Sequence, residues 1–109
     1  MNTQFRKGVI EMCVLATISR KDCYGYEIVQ EIASYTEINE GTVYPILRRL
    51  TTEGHLVTYL RESTLGPARK YYHITEQGQA YLHSLQTDWQ QLFEMVNHLL
   101  NQTKREEQR

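Results

Sequence analysis

Hydrophobic residues recur at helical spacing between positions 39 and 53, and this segment is the centre of the predicted fold. Its apolar stripe consists of Val43, Ile46, Leu47 and Leu50. Asn39 precedes the stripe as an N-cap whose side-chain oxygen would accept a backbone amide, and Gly54 follows it at the left-handed C′ position. The opposite face lacks the acid–base pairs of an ordinary solvated helix. It carries Gly41, Tyr44, Pro45, Arg48 and Thr52, with Arg49 at its edge. We therefore expect this helix to enter the major groove of DNA.

Pro45 lies inside this predicted helix, where a proline removes one hydrogen bond and clashes with the carbonyl four residues earlier. That carbonyl belongs to Gly41 on the outward face, so a bend there would not disturb the core. The sequence predicts a kinked or tight first turn. The alternative is that the helix begins at Pro45.

Two predicted helices precede this segment. The first, Phe5–Ile18, is apolar nearly all round from Val9 onwards, so it must be covered on more than one side. A domain of this size offers little to cover it, which indicates a second subunit. The second helix opens at Tyr24 and runs to about Ser34. Its tight connection to the central helix predicts a helix-turn-helix.

Two β-rich runs follow, His55–Leu60 and Arg69–Ile74. The polar stretch 61–68 between them contains Gly66 and Pro67, which is typical of a long hairpin. A helix-turn-helix followed by a hairpin with basic residues at its base is a winged helix. The expected fold is therefore mainly α with a small β-hairpin, in the form of a winged helix-turn-helix with a long C-terminal helix.

That C-terminal helix is capped by Thr75 and is predicted to run from Glu76 to about Gln102. Apolar residues spaced alternately three and four apart form a heptad seam along it. The apolar seam consists of Leu82, Leu85, Trp89, Leu92, Val96 and Leu99. A small domain cannot bury so long a seam, so we expect homodimerisation through it. The expected organisation is a DNA-binding domain at 1–75, a dimerisation helix at 76–103 assisted by helix 5–18, and a frayed charged tail at 104–109.

The distribution of charge agrees with a nucleic-acid partner better than the net charge of −1 does. Five basic and two acidic side chains give residues 48–70 a net charge of +3, whereas residues 71–103 carry −3. No apolar run approaches the ~18 residues of a membrane span, and the N-terminus lacks the apolar core of a signal peptide. We therefore expect no membrane association and a cytoplasmic protein.

The residue types that catalysis and metal binding need do not occur together. The four histidines are scattered and match no zinc spacing, and no nucleophile–base pattern, P-loop or dinucleotide fingerprint is present. Neither an enzyme nor a metal or cofactor is expected. Cys13, in an apolar run, is predicted to be a core residue, and Cys23, in a turn, to be partly exposed. Only Lys21 would favour a reactive thiolate, which argues against a redox sensor.

Four segments together resemble the PadR family of bacterial transcriptional regulators. They are Tyr24–Ile28, Glu40–Leu50, the pair Glu53-Gly54, and Gly66–Gly78. The resemblance covers about residues 5–100 and is closest to the subfamily with one short C-terminal helix. It implies a homodimeric winged-helix repressor that binds a palindromic operator in double-stranded DNA until an effector releases it. In one branch of the family, flat aromatic drugs stack between paired tryptophans at the dimer centre.

The candidate DNA-binding residues come from the central helix, the base of the hairpin and, by resemblance, the start of the second helix. They are Tyr24, Gly41, Thr42, Tyr44, Arg48, Arg49, Arg69 and Lys70. Gly41 and Thr42 would allow close approach to the duplex, and Arg48 is expected on a phosphate rather than on guanine. For Tyr71 and Tyr72 an ordinary place at the edge of the core is favoured.

The resemblance also implies a small aromatic effector, with Trp89 at the drug-stacking position and Glu11, Met12 and Phe93 beside it. Two interpretations of Trp89 are open, packing against its symmetry mate or stacking on a ligand. Two alternatives to an effector-controlled repressor are open as well. One is a winged-helix protein-interaction module, and the other is a repressor without any effector.

Overall fold

The structure, a computed structural model, describes residues 3–107 and the side chains of residues 8–105. Within these residues the chain forms four helices and three strands. Their bounds are Thr3–Arg20 (α1), Cys23–Tyr24 (β1), Gly25–Ala33 (α2), Glu40–Thr52 (α3), Leu56–Ser63 (β2), Gly66–Ile74 (β3) and Glu76–Glu107 (α4). The predicted winged helix-turn-helix with a long C-terminal helix is confirmed.

The strand β1 was not predicted, and it turns the hairpin into a three-stranded antiparallel sheet of order β1-β3-β2. It pairs Cys23 with Tyr72 and Tyr24 with Tyr71. Two residues are too few to show the alternation that identifies a strand in a sequence. This pairing turns the Cys23 side chain into the core, where it is 1% exposed, so its predicted exposure was wrong. The prediction for Cys13 was also wrong, because Cys13 lies on the exposed side of α1.

The hairpin is longer than predicted. Strands β2 and β3 continue through most of the polar stretch 61–68 and are joined at residues 64 and 65. The register shifts between Arg61 and Ser63, so that β3 has one more residue there than β2. Pro67 lies in this irregular part, where a residue without an N–H group disturbs the ladder least. The polar composition suggested a loop because both faces of the hairpin project into solvent here.

The hydrophobic core lies where α1, α2 and α3 meet the sheet. The apolar stripe predicted for α3 is confirmed, since Val43, Ile46, Leu47 and Leu50 are all buried. α2 contributes Ile28, Val29 and Ile32. α1 covers these with Ile10, Val14, Leu15 and Ile18, and the sheet adds Cys23, Leu56, Tyr72 and Ile74. α3 packs in this core against α1, α2 and β2, so the core determines which face of that helix is presented to solvent.

The ends of α3 agree with the prediction except at the Asn39 side chain. Asn39 has the extended backbone of an N-cap, but its side chain makes no capping hydrogen bond. Its backbone oxygen instead accepts from the amides of Thr42 and Val43, at 3.1 and 3.3 Å, which makes the first turn tight. Pro45 lies inside the helix, so the helix does not begin there. Gly54 has φ of +87°, as predicted for C′, and the amide of the next residue bonds back to the Leu50 carbonyl at 2.9 Å.

α4 is longer than predicted and continues through Glu107, so the charged tail is helical as far as the structure describes it. The Thr75 cap is confirmed, with its Oγ1 accepting from the Gly78 amide at 3.0 Å. Leu82 and Leu85 pack against the core of their own chain. The seam from Trp89 onwards is exposed. Among residues 3–107, no helix combines the length and apolarity needed to cross a membrane.

Asp22 connects the start of β1 to the outer face of the sheet. Its carboxylate accepts from the Tyr59 hydroxyl at 2.6 Å and lies 2.8 Å from Nδ1 of His73. These two hydrogen bonds, Tyr59 first, hold the pKa of Asp22 below its ordinary value of 3.8. A carboxylate whose pKa is lowered by folding stabilises the fold above its unfolded pKa, and this contribution disappears as the pH falls through the folded pKa.

We therefore expect Asp22→Asn to lower the free energy of unfolding near neutral pH by about 0.5–1 kcal/mol, a small value because the carboxylate is partly exposed. The difference from the wild type should shrink as the pH falls below 3.8, the ordinary aspartate pKa. Urea denaturation over a pH series measures it. Asp88→Asn on the exposed surface of α4 is the control. A difference that stayed constant with pH would contradict this role of Asp22.

Candidate nucleic-acid interface

The face of α3 that the core leaves uncovered is the one that the sequence predicts for DNA. Tyr44, Pro45, Arg48 and Thr52 are exposed along it. Gly41 is exposed and Thr42 half-buried at its start. Because a helix of this size fits the major groove of B-DNA, side chains on one open face can reach base edges and flanking phosphates together.

A cavity of about 180 Å³ lies beside this face, between the start of α2, the first half of α3 and the edge of β3. Its walls are formed by Tyr24, Gly25, Tyr26, Tyr44, Arg69, Lys70 and Tyr72. Four of the eight predicted DNA-binding residues therefore converge from three separate elements. Arg48 lies one turn after Tyr44 on the same exposed side of α3. Two phenols and three cations thus share one side of the molecule.

Tyr24 and Arg69 are held against each other. The guanidinium carbon of Arg69 lies 4.5 Å from the centre of the Tyr24 ring, within the range of a cation–π contact. Tyr24 also packs against Tyr71, with ring centres 5.6 Å apart. The backbone amide of Tyr24 donates to the Glu27 carboxylate at 3.1 Å, which fixes the start of α2. The arginine is therefore positioned before any ligand arrives.

Tyr44 depends on Gly25, a residue that the sequence did not single out for a role. A Cβ atom added to Gly25 would lie 2.6 Å from Cε1 of the Tyr44 ring, so the ring rests directly on the α2 backbone. Burial, with a smaller contribution from Glu40, raises the pKa of Tyr44. Its hydroxyl therefore stays protonated and can donate to a phosphate oxygen. The Tyr-Gly-Tyr motif at 24–26 was the available signal for this contact.

We expect Gly25→Ala to displace the Tyr44 ring and to weaken DNA binding by about tenfold, the value of one lost hydrogen bond of ~1.4 kcal/mol. Stability should change little, because the atoms that must move are the outer end of a partly exposed side chain. Fluorescence anisotropy with labelled DNA and thermal unfolding measure the two quantities. Gly8→Ala, where an added Cβ meets nothing, is the control. Unchanged affinity in Gly25→Ala would show that the position of Tyr44 does not matter.

The outer face of the hairpin carries a second group that the sequence did not predict. The rings of Tyr59 and Tyr71 stack with centres 5.8 Å apart, and the Arg61 guanidinium lies 5.2 Å from the Tyr71 ring centre. Tyr59 pairs with Tyr71, and Arg61 with Arg69, across the two strands. Only the register brings these residues to one face, and the register was not known from the sequence. The favoured core-edge place is confirmed for Tyr72, which is 7% exposed.

Arg49 lies apart from the other cations on α3. Together with Gly41 and Thr42 it lines a different cleft, between α1 and α3. Its guanidinium forms ion pairs with Glu11 at 3.0 Å and with Glu53 at 3.4 Å. A guanidinium that is occupied by two carboxylates is a weaker candidate for a phosphate than Arg48, which has no such partner among the described residues.

The candidate ligand-binding residues are not all directed to the same side. The Trp89 and Phe93 rings lie 6.0 Å apart on the exposed side of α4. Met12 is half-buried on α1. Glu11 is 9% exposed, and its carboxylate accepts from the Tyr81 hydroxyl at 3.0 Å in addition to its ion pair with Arg49. The two aromatic rings therefore lie together on the exposed side of α4, whereas the Glu11 carboxylate is directed into the fold.

Comparison with known proteins agrees with this geometry. The family model described as "Transcriptional regulator PadR-like family" matches residues 14–84, which is more than half of the chain. The crystal structure of a PadR-like transcriptional regulator from Bacillus cereus is 40% identical, covers 90% of this chain and 97% of its own, and superposes with a TM-score of 0.81. The smu.1704 protein of Streptococcus mutans is 38% identical over 87% of this chain and 89% of its own, also with a TM-score of 0.81.

A relative found by its sequence is also described as a transcriptional regulator. The transcriptional regulator Rv3488 of Mycobacterium tuberculosis is 30% identical over 80 residues, which are 72% of this chain and 74% of that protein. The Bacillus cereus protein and Rv3488 are both described as transcriptional regulators. On the family match, the structural likeness and the winged helix-turn-helix fold, the chain belongs to the PadR-like family of transcriptional regulators.

Proposed function

We propose that this regulator is a homodimeric repressor that inserts α3 into the major groove of a palindromic operator and lays the β2–β3 hairpin along the neighbouring backbone. The observation that supports it most is the convergence of Tyr24, Tyr44, Arg69 and Lys70 on one cavity beside the exposed face of α3. Phenol hydroxyls and cations of this kind are the usual partners of DNA phosphates. Contacts from three elements would fix the register of the protein on the duplex.

Within this proposal the residues have different roles. Tyr24, Tyr44, Arg69 and Lys70 contact phosphates, and Arg48 contacts a phosphate near the far end of α3. Gly41 and Thr42 bring the start of α3 close to the base edges, where the Thr42 hydroxyl can donate. Arg49 is left out because its guanidinium is paired with Glu11 and Glu53.

The homodimer is supported by the exposed part of the apolar seam. Leu92 is 45% exposed and Leu99 55%, and the helix projects beyond the domain in a molecule 66 Å long and 21 Å thick. α1 offers a further apolar surface, with Val9 and Met12 half-buried and Cys13 exposed. Two copies that covered each other's seams would hold two α3 helices at a fixed separation, which a palindromic site requires.

An effector at the dimer interface is supported by Trp89 and Phe93, whose tilted rings lie on the same exposed side of α4. A planar aromatic molecule would stack on the indole and quench its fluorescence. Trp89 is the only tryptophan in the chain, so its emission reports on this site alone. Titration with planar aromatics that left the emission unchanged would favour a repressor without an effector.

The experiment that tests the proposal is selection of bound fragments from genomic DNA by the purified protein, followed by affinity measurements on the selected site at several salt concentrations. A protein that contacts about six to ten phosphates would lose roughly 10³–10⁵ in DNA affinity between 50 and 200 mM salt. A protein-interaction module would select no consistent DNA sequence, and its binding to a protein partner would change little with salt. Either result would decide between the two classes.

A further inference from the structure

The Glu11 side chain connects its own helix, α1, with α3 and α4. It lies on α1, is 9% exposed, and its Oε1 atom is 3.0 Å from the Tyr81 hydroxyl of α4 and 3.0 Å from Nη2 of Arg49 on α3. One carboxylate oxygen therefore connects the helix proposed for dimerisation with the helix proposed to enter the groove. A carboxylate so little exposed is stable only while its partners compensate for its lost hydration.

Arg49 is restrained by this arrangement. It lies between Glu11 and Glu53, with the second carboxylate one turn later on the same helix. Burial alone would lower the pKa of Arg49, but the hydrogen bond from the guanidinium to Glu11 and the charges of both carboxylates raise it. The guanidinium is thus permanently charged. If Arg49 lost Glu11 as a partner, Glu53 alone would balance the charge of the guanidinium.

Tyr81 is fixed in turn by the end of α3. Its ring stacks on His55 with centres 4.3 Å apart, and His55 follows directly after Glu53 and Gly54. Nearby, the Thr75 hydroxyl donates to the Gly54 carbonyl at 2.7 Å and the Gln77 amide to the Glu53 carbonyl at 2.8 Å. The first two turns of α4 therefore contact the C-terminal end of α3 at several points. Tyr81 adds an indirect contact, because it binds Glu11 of α1, which in turn binds Arg49 of α3.

We propose that Glu11, Tyr81 and Arg49 are positioning residues that couple the packing of α4 on α1 to the orientation of α3, and that Arg49 serves DNA binding in this way rather than by touching DNA. This inference rests on the proposed function. α1 and α4 carry the surfaces assigned to the dimer and the effector, so any change in how they pack reaches the Glu11 carboxylate. Separation of Tyr81 from Glu11 removes one of the two hydrogen bonds that hold this carboxylate, so that it restrains Arg49, in the last turn of α3, less firmly.

The test is Tyr81→Phe, which removes one hydroxyl and keeps the ring on His55. We expect its operator affinity to fall by roughly 3- to 30-fold, the range that coupled networks of this kind produce. The slope of affinity against salt should not change, because no phosphate contact is lost. Tyr35→Phe, on a side chain that is 84% exposed, is the matched control and should bind like the wild type. All measurements are made well below the unfolding temperature.

A second measurement does not depend on DNA. Hydrogen exchange of the α3 amides in the free protein should become faster in Tyr81→Phe and in Glu11→Gln but not in Tyr35→Phe, and the double variant should show less than the sum of the two single effects. If the wild type bound no DNA, the proposed function would fail and the exchange data would still decide the coupling. Unchanged exchange in α3, or operator binding equal to the wild type in Tyr81→Phe, would overturn it.

Discussion

Replacing Arg48 and Lys70 together by alanine is expected to lower operator affinity by at least about 100-fold at moderate salt, because each replacement removes a charged hydrogen bond of ~1.5–3 kcal/mol. The loss should be similar for every DNA sequence, since phosphates are the same in all of them. The slope of log affinity against log salt should become shallower by about 0.9 for each phosphate contact removed. Fluorescence anisotropy over a salt series measures both quantities.

The control variant also removes two positive charges, but from another part of the chain. Lys104 and Arg105 are exposed in the last turns of α4, away from the cavity at the start of α2. Their double alanine variant has the same net charge as the first one, so it corrects for the general attraction between a cation and DNA. An equal loss of affinity in both variants, or no loss in Arg48→Ala with Lys70→Ala, would contradict the docking of α3 and the hairpin.

The helices were predictable because their signal is local. The stripe of α3 recurs every three or four residues, and burial of Val43, Ile46, Leu47 and Leu50 follows from that spacing alone. The Gly54 and Thr75 caps are likewise decided by residues within one turn of the helix end. Where the residues that decide a feature are close in sequence, the sequence pattern was enough to predict that feature.

The features that the sequence missed depend on partners far along the chain. The strand β1 exists because Cys23 and Tyr24 meet β3 almost fifty residues later, and this pairing alone decides that Cys23 is buried. The long-range pairing of Glu11 with Arg49 and Tyr81 is of the same kind. In the sequence Arg49 lies only at the edge of the exposed face, but it was grouped with Arg48 as a candidate DNA contact. Only the packing of α1 against α3 shows that Arg49 is paired with Glu11 and that Arg48 is not.

The candidate site was predictable in part for the same reason. Tyr44 and Arg48 lie on a face of α3 that the helical period defines, and the basic residues of β3 followed from composition. That Tyr24, Tyr44, Arg69 and Lys70 surround one cavity required the third strand, which brings the start of α2 to the edge of β3. Gly25 acquired its role only through the contact of its backbone with the Tyr44 ring.

Introducing glutamate at Leu92 and Val96 is expected to convert the protein into a monomer at micromolar concentration. Both side chains lie in the exposed part of the seam, where each new carboxylate would have to be buried against a second copy without a partner. The monomer itself should stay folded, because Leu82 and Leu85 hold α4 on the core of their own chain. Sedimentation equilibrium measures the association, and circular dichroism the fold.

The same variant tests how much of the DNA affinity comes from the second copy. A dimer that holds two α3 helices on two half-sites gains about 10²–10⁴ in affinity over a single head, so the monomer should lose that factor. Thr87→Glu with Gln91→Glu is the matched control, because it adds two charges at the same spacing on the opposite, exposed side of α4. It should remain dimeric and bind the operator like the wild type. If the seam variant stayed dimeric, the two copies would have to associate through another surface, and the outward side of α1 would be the next to test.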